Sequence, residues 1–337
     1  DEHRLPQDGR FRSIVDHGEI DFRISLIPTV DGEKVVLRIL DKSAGILTLD
    51  QLGLRGQQFA ILEEEIHKPH GMILVTGPTS SGKTTTLYAA IDRLRSVTTN
   101  ITTLEDPVEY RLAGINQSQV QPEIGFTFAT GLRAILRQDP NIILVGEIRD
   151  AETADIAVNA ALTGHIVLTT LHTNDAAGAI PRLLDMGIEP FLLTSSVNAI
   201  VAQRLVRKLC PKCTTSRPLA GDHVAEVRAA VKSLHHNQRG LAGLERLRAK
   251  LARPVFSVGK GCAACGETGY KGRAGIYEVL PVNETLKPLI SSHASSSALA
   301  AVALKQGMLT MREDGILKTL DGVTTIEEVL RVTQEDA

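Results

Sequence analysis

Val75-Thr76-Gly77-Pro78-Thr79-Ser80-Ser81-Gly82-Lys83-Thr84 decides how this chain is read. An apolar run, Met72 to Val75, stands directly before the loop, and a helix-like stretch, Thr85 to Leu94, follows it. A strand, a glycine-bounded loop ending in Gly-Lys-Thr and a helix start form the context in which this pattern binds phosphate. The two glycines let the loop curl, so that backbone N–H groups and the helix N-terminus point at the β- and γ-phosphates of a nucleoside triphosphate. Lys83 is expected to neutralise phosphate charge and Thr84 to give its hydroxyl to Mg²⁺. Gly77, Pro78, Thr79, Ser80, Ser81, Gly82 and Thr85 complete the expected cradle. A chance glycine-rich turn would not bring strand, helix, Lys and Thr together.

The 337 residues have room for two or three domains, and an apolar content of 43% supports a sizeable core. With 37 basic against 39 acidic residues the net charge is −2, so no basic footprint for nucleic acid is present and none is expected as a partner. No apolar stretch approaches the ~20 residues needed to span a bilayer, and no secretory pattern opens the chain. The chain therefore reads as cytoplasmic. Its opening, Asp1 to Gly9, resembles the interior of a domain, so a further N-terminal segment is expected.

Four cysteines, Cys210, Cys213, Cys262 and Cys265, form two C-x₂-C pairs separated by 48 residues. Two such knuckles can complete a tetrahedral Cys₄ site for structural Zn²⁺, although the gap exceeds the usual zinc-ribbon spacing. Redox-active or merely buried thiols are the alternatives. A closed Cys₄ set leaves no open position for substrate, so the metal's task would be folding.

From Phe11 to about Leu40 the chain reads as antiparallel sheet. Asp31-Gly32 signals a hairpin that opposes position 24 to 39 and 26 to 37, giving Ile24, Leu26, Leu37 and Ile39 a common core face. Arg23 and Arg38 then become diagonal neighbours on the other face, either solvated or clamping a phosphate. From about Leu47 strands alternate with helices, which predicts a mostly parallel sheet covered on both faces. Expected here are strands at 72–76, 101–104, 142–145 and 166–170, and helices at 59–66, 85–94, 129–137 and 151–162, the last capped by Asp150. After Pro181 the pattern turns mainly helical, with helices at 191–205, 284–290, 297–306 and 326–332. Two amphipathic helices are expected between the cysteine pairs, around Val224–Leu234 and Leu241–Leu251, where His223, His235 and His236 read as surface residues.

A P-loop enzyme needs an acid at the end of a neighbouring strand. Ile142-Ile143-Leu144-Val145-Gly146-Glu147 supplies Glu147, and Leu104-Glu105-Asp106-Pro107-Val108-Glu109 places Glu105 at another strand tip. Clustered acids near a bound metal are plausible water-activating groups, whereas an isolated block would serve only solubility. Arg133 and Arg137 share a helix face, where surface ion pairing is the plain alternative. His172 follows the 166–170 strand, at the end where α/β ligand sites form, as a γ-phosphate sensor or as a structural histidine.

Together these residues resemble a known family. Gly77–Thr84, Glu105-Asp106-Pro107-Val108-Glu109, Val145-Gly146-Glu147-Ile148-Arg149-Asp150 and Thr163-Gly164-His165 through His172-Thr173 are similar, in order, to the Walker A, Asp box, Walker B and His box of the secretion-superfamily hexameric ATPases. Cys262, Cys265 and the run Thr268 to Glu278 extend the match to the branch of type II secretion and type IV pilus extension ATPases. The long inter-cysteine insert, Asp314-Gly315 and the ending Val329 to Glu335 look more like the secretion member.

The resemblance implies a RecA-like α/β core, preceded by a small mixed α/β (PAS-like) sheet subdomain and followed by a zinc-binding, mainly helical region. The corresponding divisions are 1–45, a linker at 46–54, an ATPase core at 55–205, a tetracysteine module at 206–275 and a C-terminal region at 276–337. It also implies ATP hydrolysis with Lys83, Glu105, Glu147 and His172 as catalytic residues, and Arg23, Arg38 and Arg133 reaching the γ-phosphate. ATP, Mg²⁺ and Zn²⁺ are the implied cofactors. A homo-hexamer docked on an inner-membrane secretion platform, through a domain absent from this sequence, is the implied assembly. Its expected place is peripheral on the inner membrane. A nucleic-acid-dependent RecA-like ATPase is the alternative of another class.

Overall fold

Met72, Ile73, Leu74 and Val75 are all buried, and so are Ile142–Val145 and Ile166–Leu168. Continuous apolar runs of this kind belong to parallel strands covered on both faces. The computed structural model, which describes residues 2–15, 18–41, 45–219, 221–237 and 255–334, shows that sheet. Its seven strands are β4 (Gly71–Thr76), β5 (Ile101–Glu105), β6 (Asn116–Gln119), β7 (Ile142–Val145), β8 (Ile166–Leu171), β9 (Val197–Leu209) and β12 (Tyr270–Pro281). They lie in the order β12-β9-β4-β8-β7-β5-β6, parallel except for antiparallel β12 at one edge. Alternate residues of β4 feed opposite sides. Met72 and Leu74 join one apolar cluster with α5 (Ala151–Leu162), while Ile73 and Val75 join another with α3 (Lys83–Leu94). Asp150 caps α5 by accepting the Thr153 N–H at 2.8 Å, as expected.

The expected helix over 191–205 is corrected. Only α7 (Pro190–Ser196) is helical there, and the following thirteen residues form β9, between β4 and β12. Ile200, Val201 and Ala202 are buried on both sides, so the chain carries an apolar run without strand alternation. The helix Met311–Leu320 and the polar strand β6 were not expected. Helices at Lys287–Ser291, Ser296–Lys305 and Ile326–Thr333 follow the reading closely. Between the cysteine pairs α8 (Gly221–Asn237) is present, whereas the second expected helix falls outside the described residues. His223 is half-buried rather than on the surface, its Nδ1 3.9 Å from a Glu327 carboxylate oxygen. The side chains of His235 and His236 lie outside the described set.

The N-terminal portion contributes an antiparallel sheet, β1 (Gln7–Val15), β2 (Gly18–Thr29) and β3 (Gly32–Asp41). Its register differs from the expected one by two residues: Ile24 opposes Leu37 and Leu26 opposes Val35. The turn residues are Val30 and Asp31, and Gly32, at φ +131°, takes the backbone conformation closed to other residues. A two-residue slip keeps every side chain on its face, but Leu37 and Ile39 are exposed, so that face is not a core. The slip also puts Arg10, Arg23 and Arg38 directly opposite one another, a row of three guanidinium groups across three strands.

Residues 49–54 pack with the α/β body, since Leu49 and Leu54 are buried in the same cluster as Ile73 and Tyr277. Gln58 Nε2 donates to Tyr277 O at 2.7 Å and Lys318 Nζ to Gly275 O at 2.7 Å, tying the helices Gly56–Ile66 and Met311–Leu320 to β12. Neighbouring Glu278, only 6% exposed, accepts the Ala176 N–H at 2.9 Å. Burial raises its carboxyl from 4.5 to about 7, against the opposing Ala176 bond. Between those values the folded chain binds more protons than the unfolded one, so this group makes stability fall as pH rises across the window. In Glu278→Gln that contribution vanishes. Urea midpoints at pH 5 and pH 7.5 should show a shallower pH dependence in the variant, by up to about 3 kcal/mol. Equal dependence in both proteins would contradict the assignment.

Candidate active site

Parallel strands open their ligand crevice at their C-terminal ends, and four of them converge here. The P-loop follows β4, Glu105 ends β5, Glu147 follows β7 and His172 follows β8. Around them lies a cleft of about 730 Å³, lined by Thr79–Thr85, Glu105, Asp106, Glu109, Glu147, His172 and, from the N-terminal sheet, Arg38. Gly77 and Pro78 are not among the residues that line it.

The loop is built on β9. Gln203 Nε2 donates to Ser81 O at 2.6 Å, and the Gln203 carbonyl lies where a Gly77 Cβ would come within 2.5 Å of it. Gly77 has φ +143°, and Ser80 (φ +66°) and Gly82 (φ +89°) are left-handed. Lys83 Nζ donates to Gly77 O at 2.7 Å and to Pro78 O at 3.2 Å, across the mouth of the loop. Burial lowers the Lys83 pKa, and the Glu147 charge opposes that shift. Among the described residues no side chain caps α3, so its first N–H groups point into the loop, and the buried Ser81 Oγ has no partner. A cradle of N–H donors, one ammonium and an orphaned hydroxyl fits a polyphosphate. The adjoining Thr84 hydroxyl and carboxylates are hard oxygen donors of the kind Mg²⁺ takes.

Glu147 Oε1 receives the Arg149 guanidinium at 2.6 Å, and His172 Nε2 stands 3.4 Å from Glu147 Oε2. Glu105 is 2% exposed, and burial raises its carboxyl pKa against hydrogen bonds from Thr103, Tyr88 and Gln117. Arg23 lies outside the cleft lining, with Nη2 2.8 Å from Glu109 Oε2 and its buried Nε without a partner among the described residues. Arg133 is also outside it, half-exposed and paired with Glu152 at 2.5 Å. Sequence reasoning did not single out Arg149, Arg10 or Arg273, which lines the cleft from β12. Arg273 follows an irregularity in the β12–β9 pairing, and no local pattern announces it.

Away from the cleft, the four cysteines come together. Sγ–Sγ distances are 3.9 Å for Cys210–Cys262, 3.9 Å for Cys213–Cys265 and 3.7 Å for Cys262–Cys265. Thiolates about 2.3 Å from one tetrahedral Zn²⁺ would stand roughly 3.8 Å apart, whereas disulfide sulfurs lie about 2 Å apart. All four sulfurs fall within 4.8 Å of one another, so the cluster is compatible with Zn²⁺. Burial raises the Cys265 thiol, but the N–H groups of Cys262 and Gly269 outweigh it and hold it at about 6.

A parallel sheet of this order, with the P-loop after β4 and carboxylates after its neighbours, is the fold of the P-loop nucleotide-binding proteins. The profile of the type II/IV secretion system proteins matches residues 1–331, and the chain belongs to that family. Type II secretion system protein E of Pseudomonas aeruginosa is 50% identical over 335 residues, 99% of this chain and 63% of that protein. The type IV pilus assembly ATPase PilB of Myxococcus xanthus is also 50% identical, over 99% of this chain and 56% of its own. The chain thus spans about three-fifths of these relatives' length. The pilus retraction motor PilT, solved with bound ADP, matches with a TM-score of 0.66 at 28% identity, covering 99% of this chain and 79% of its own. DotB of Yersinia pseudotuberculosis, at 21% identity and TM-score 0.68 over 98% and 76%, shares the fold.

Gly77→Ala tests the cradle. A methyl group there meets Gln203 O and Ser81 Oγ at a φ unsuited to side chains, at a cost of about 1–3 kcal/mol. The thermal shift given by MgATP to the native chain should be lost in the variant. An undiminished shift would contradict the role of Gly77.

Proposed function

We propose that this chain is the motor portion of a type II secretion ATPase, which hydrolyses ATP to drive pseudopilus assembly and export of folded proteins. Lys83, bridging the two carbonyls at the mouth of the loop, is the observation that carries the reading. A γ-phosphate would replace those carbonyls as its partner. Glu105 and Glu147 are the acids that would orient and deprotonate the attacking water, with His172 reporting the γ-phosphate through its contact with Glu147. Bound at Thr84, Mg²⁺ would neutralise charge on the β- and γ-phosphates.

Like charges directly opposite on a sheet repel. The Arg10–Arg23–Arg38 row therefore favours an anionic neighbour, and Glu109 already supplies one. Arg38 and Arg23 would add phosphate as another, whereas Arg133 would have to leave Glu152 to do so. Binding differential must power movement: ATP has to favour one arrangement of sheet and body more than ADP does. Homo-hexameric assembly, recruitment to an inner-membrane platform, a place peripheral to that membrane and independence of nucleic acid belong to this proposal. So do the division into sheet, linker, core, tetracysteine module and C-terminal region, and structural Zn²⁺ at Cys210, Cys213, Cys262 and Cys265. Among the described residues no helix is long and apolar enough to cross a membrane.

The pilus extension motor is the second reading, favoured by the equal identity to PilB. Complementation of a secretion-defective and a pilus-defective strain separates the two. For the chemistry, Lys83→Ala should lower Mg²⁺-dependent ATP turnover about 100-fold or more with an unchanged unfolding midpoint. Turnover at the native rate would rule out the site. Metal analysis should find one zinc per chain, and Cys262→Ser should lower both zinc content and thermal stability. A zinc-free chain of full stability would contradict the structural metal.

A further inference from the structure

Glu105 is the most heavily bonded carboxyl facing the cleft. Thr103 Oγ1 donates to its Oε1 at 2.6 Å and Gln117 Nε2 to the same oxygen at 3.2 Å. The Tyr88 hydroxyl donates to Oε2. A carboxylate offers about four acceptor positions. Two on Oε1 and one on Oε2 are thus taken, leaving a single position on Oε2. The donors come from three separate elements: Tyr88 from α3, Thr103 from β5 and Gln117 from β6.

Tyr88 is itself firmly held. It is fully buried, and its ring meets Tyr110 edge-to-face with centroids 4.7 Å apart. Gln117 secures the same arrangement from the other side, donating to Tyr110 O at 3.2 Å and accepting the Leu112 N–H at 2.7 Å. Tyr88 lies five residues beyond Lys83 on the helix that the P-loop opens.

We propose that Tyr88 is a positioning residue for hydrolysis: its hydroxyl, backed by Gln117, fixes Glu105 so that one oxygen position faces the attacking water. The inference rests on Glu105 acting as the base. In that step the water oxygen bonds to the γ-phosphorus and its proton passes to Glu105 Oε2. The bond from γ-phosphorus to the bridging oxygen breaks, and its electron pair leaves with ADP. Loss of the Tyr88 hydroxyl opens a second position on Oε2 and frees the carboxyl to rotate.

The charged and titratable groups around Glu105 are Tyr88 from α3, with Glu109 and Tyr110 from the segment after β5. Asp106, Lys83, Glu147, His172, Arg38 and Arg273 share the cleft with it. Burial raises the carboxyl pKa and the Tyr88 bond lowers it, so removal of that bond moves it further up. A base active only when ionised then loses activity at a higher pH than before.

The test compares the native chain with Tyr88→Phe, Gln117→Met, Glu105→Gln and the Tyr88→Phe/Glu105→Gln double variant. ATP turnover is followed from pH 5.5 to 9, and MgATP-analogue affinity and unfolding midpoints are measured alongside. Tyr88→Phe should lower kcat roughly tenfold and leave KM within about twofold. The acid limb of its kcat profile should move to higher pH. Gln117→Met should do the same to a smaller degree, and carries the test should Tyr88→Phe fail to fold. In the Glu105→Gln background Tyr88→Phe should have no further effect. An inactive Glu105→Gln beside a Tyr88→Phe or Gln117→Met chain with native kcat and acid limb overturns the positioning inference alone. Native turnover by Glu105→Gln overturns the base assignment itself.

Discussion

Everything at the cleft depends on β4 being locked between β8 and β9. Gly71–Thr76 pairs in parallel with Ile166–Leu171 on one side and with the first part of β9 on the other. Both faces of β4 are buried in apolar clusters, so its end cannot shift without disturbing two cores. That fixed end delivers Gly77. The neighbour β9 delivers Gln203, which bonds Ser81 O and occupies the space a side chain at Gly77 would need. The other neighbour, β8, delivers His172 to Glu147. One buried strand and its two partners thus set the glycine-bounded loop, its backing and the residue that contacts Glu147.

Charge complements that geometry. The N-terminal sheet aligns three arginines in one cross-strand row, an arrangement that is costly unless anions face it. Glu109, close to Glu105 in sequence, already pairs with Arg23, and Arg38 reaches the cleft. The contact between sheet and α/β body therefore runs along the same acidic segment that ends β5. A change of charge in the cleft would act on both.

Much of this was legible in the sequence because it is local. Strand, loop, lysine and helix follow within about twenty residues, and the Asp150 cap and the apolar run before Glu147 are equally self-contained. The four cysteines announced a cluster by spacing, although only the fold could bring sulfurs 52 residues apart within 3.9 Å. Readings failed where partners decide. Ile200–Ala202 reads as helix in sequence, and its strand identity is decided by β4 and β12, which enclose it. The polar strand β6 exists because β5 offers it an edge. The hairpin tip is Val30-Asp31 rather than Asp31-Gly32, since the positive φ falls just after the turn. Arg149 and Arg273 lie inside matched stretches that assign them no role, the Tyr88–Gln117 pair carries no motif, and their place near the carboxylates comes from packing.

The central claim is that a nucleoside triphosphate lies in the loop backed by Gln203. An experimental structure of this chain with Mg²⁺ and a non-hydrolysable ATP analogue tests it most directly. The account predicts the γ-phosphate within hydrogen-bonding distance of Lys83 Nζ, the metal on Thr84 Oγ1, and Glu105 and Glu147 on the side of the attacking water. Analogue density elsewhere on the chain, with Lys83 still bonded to Gly77 O and Pro78 O, would contradict it.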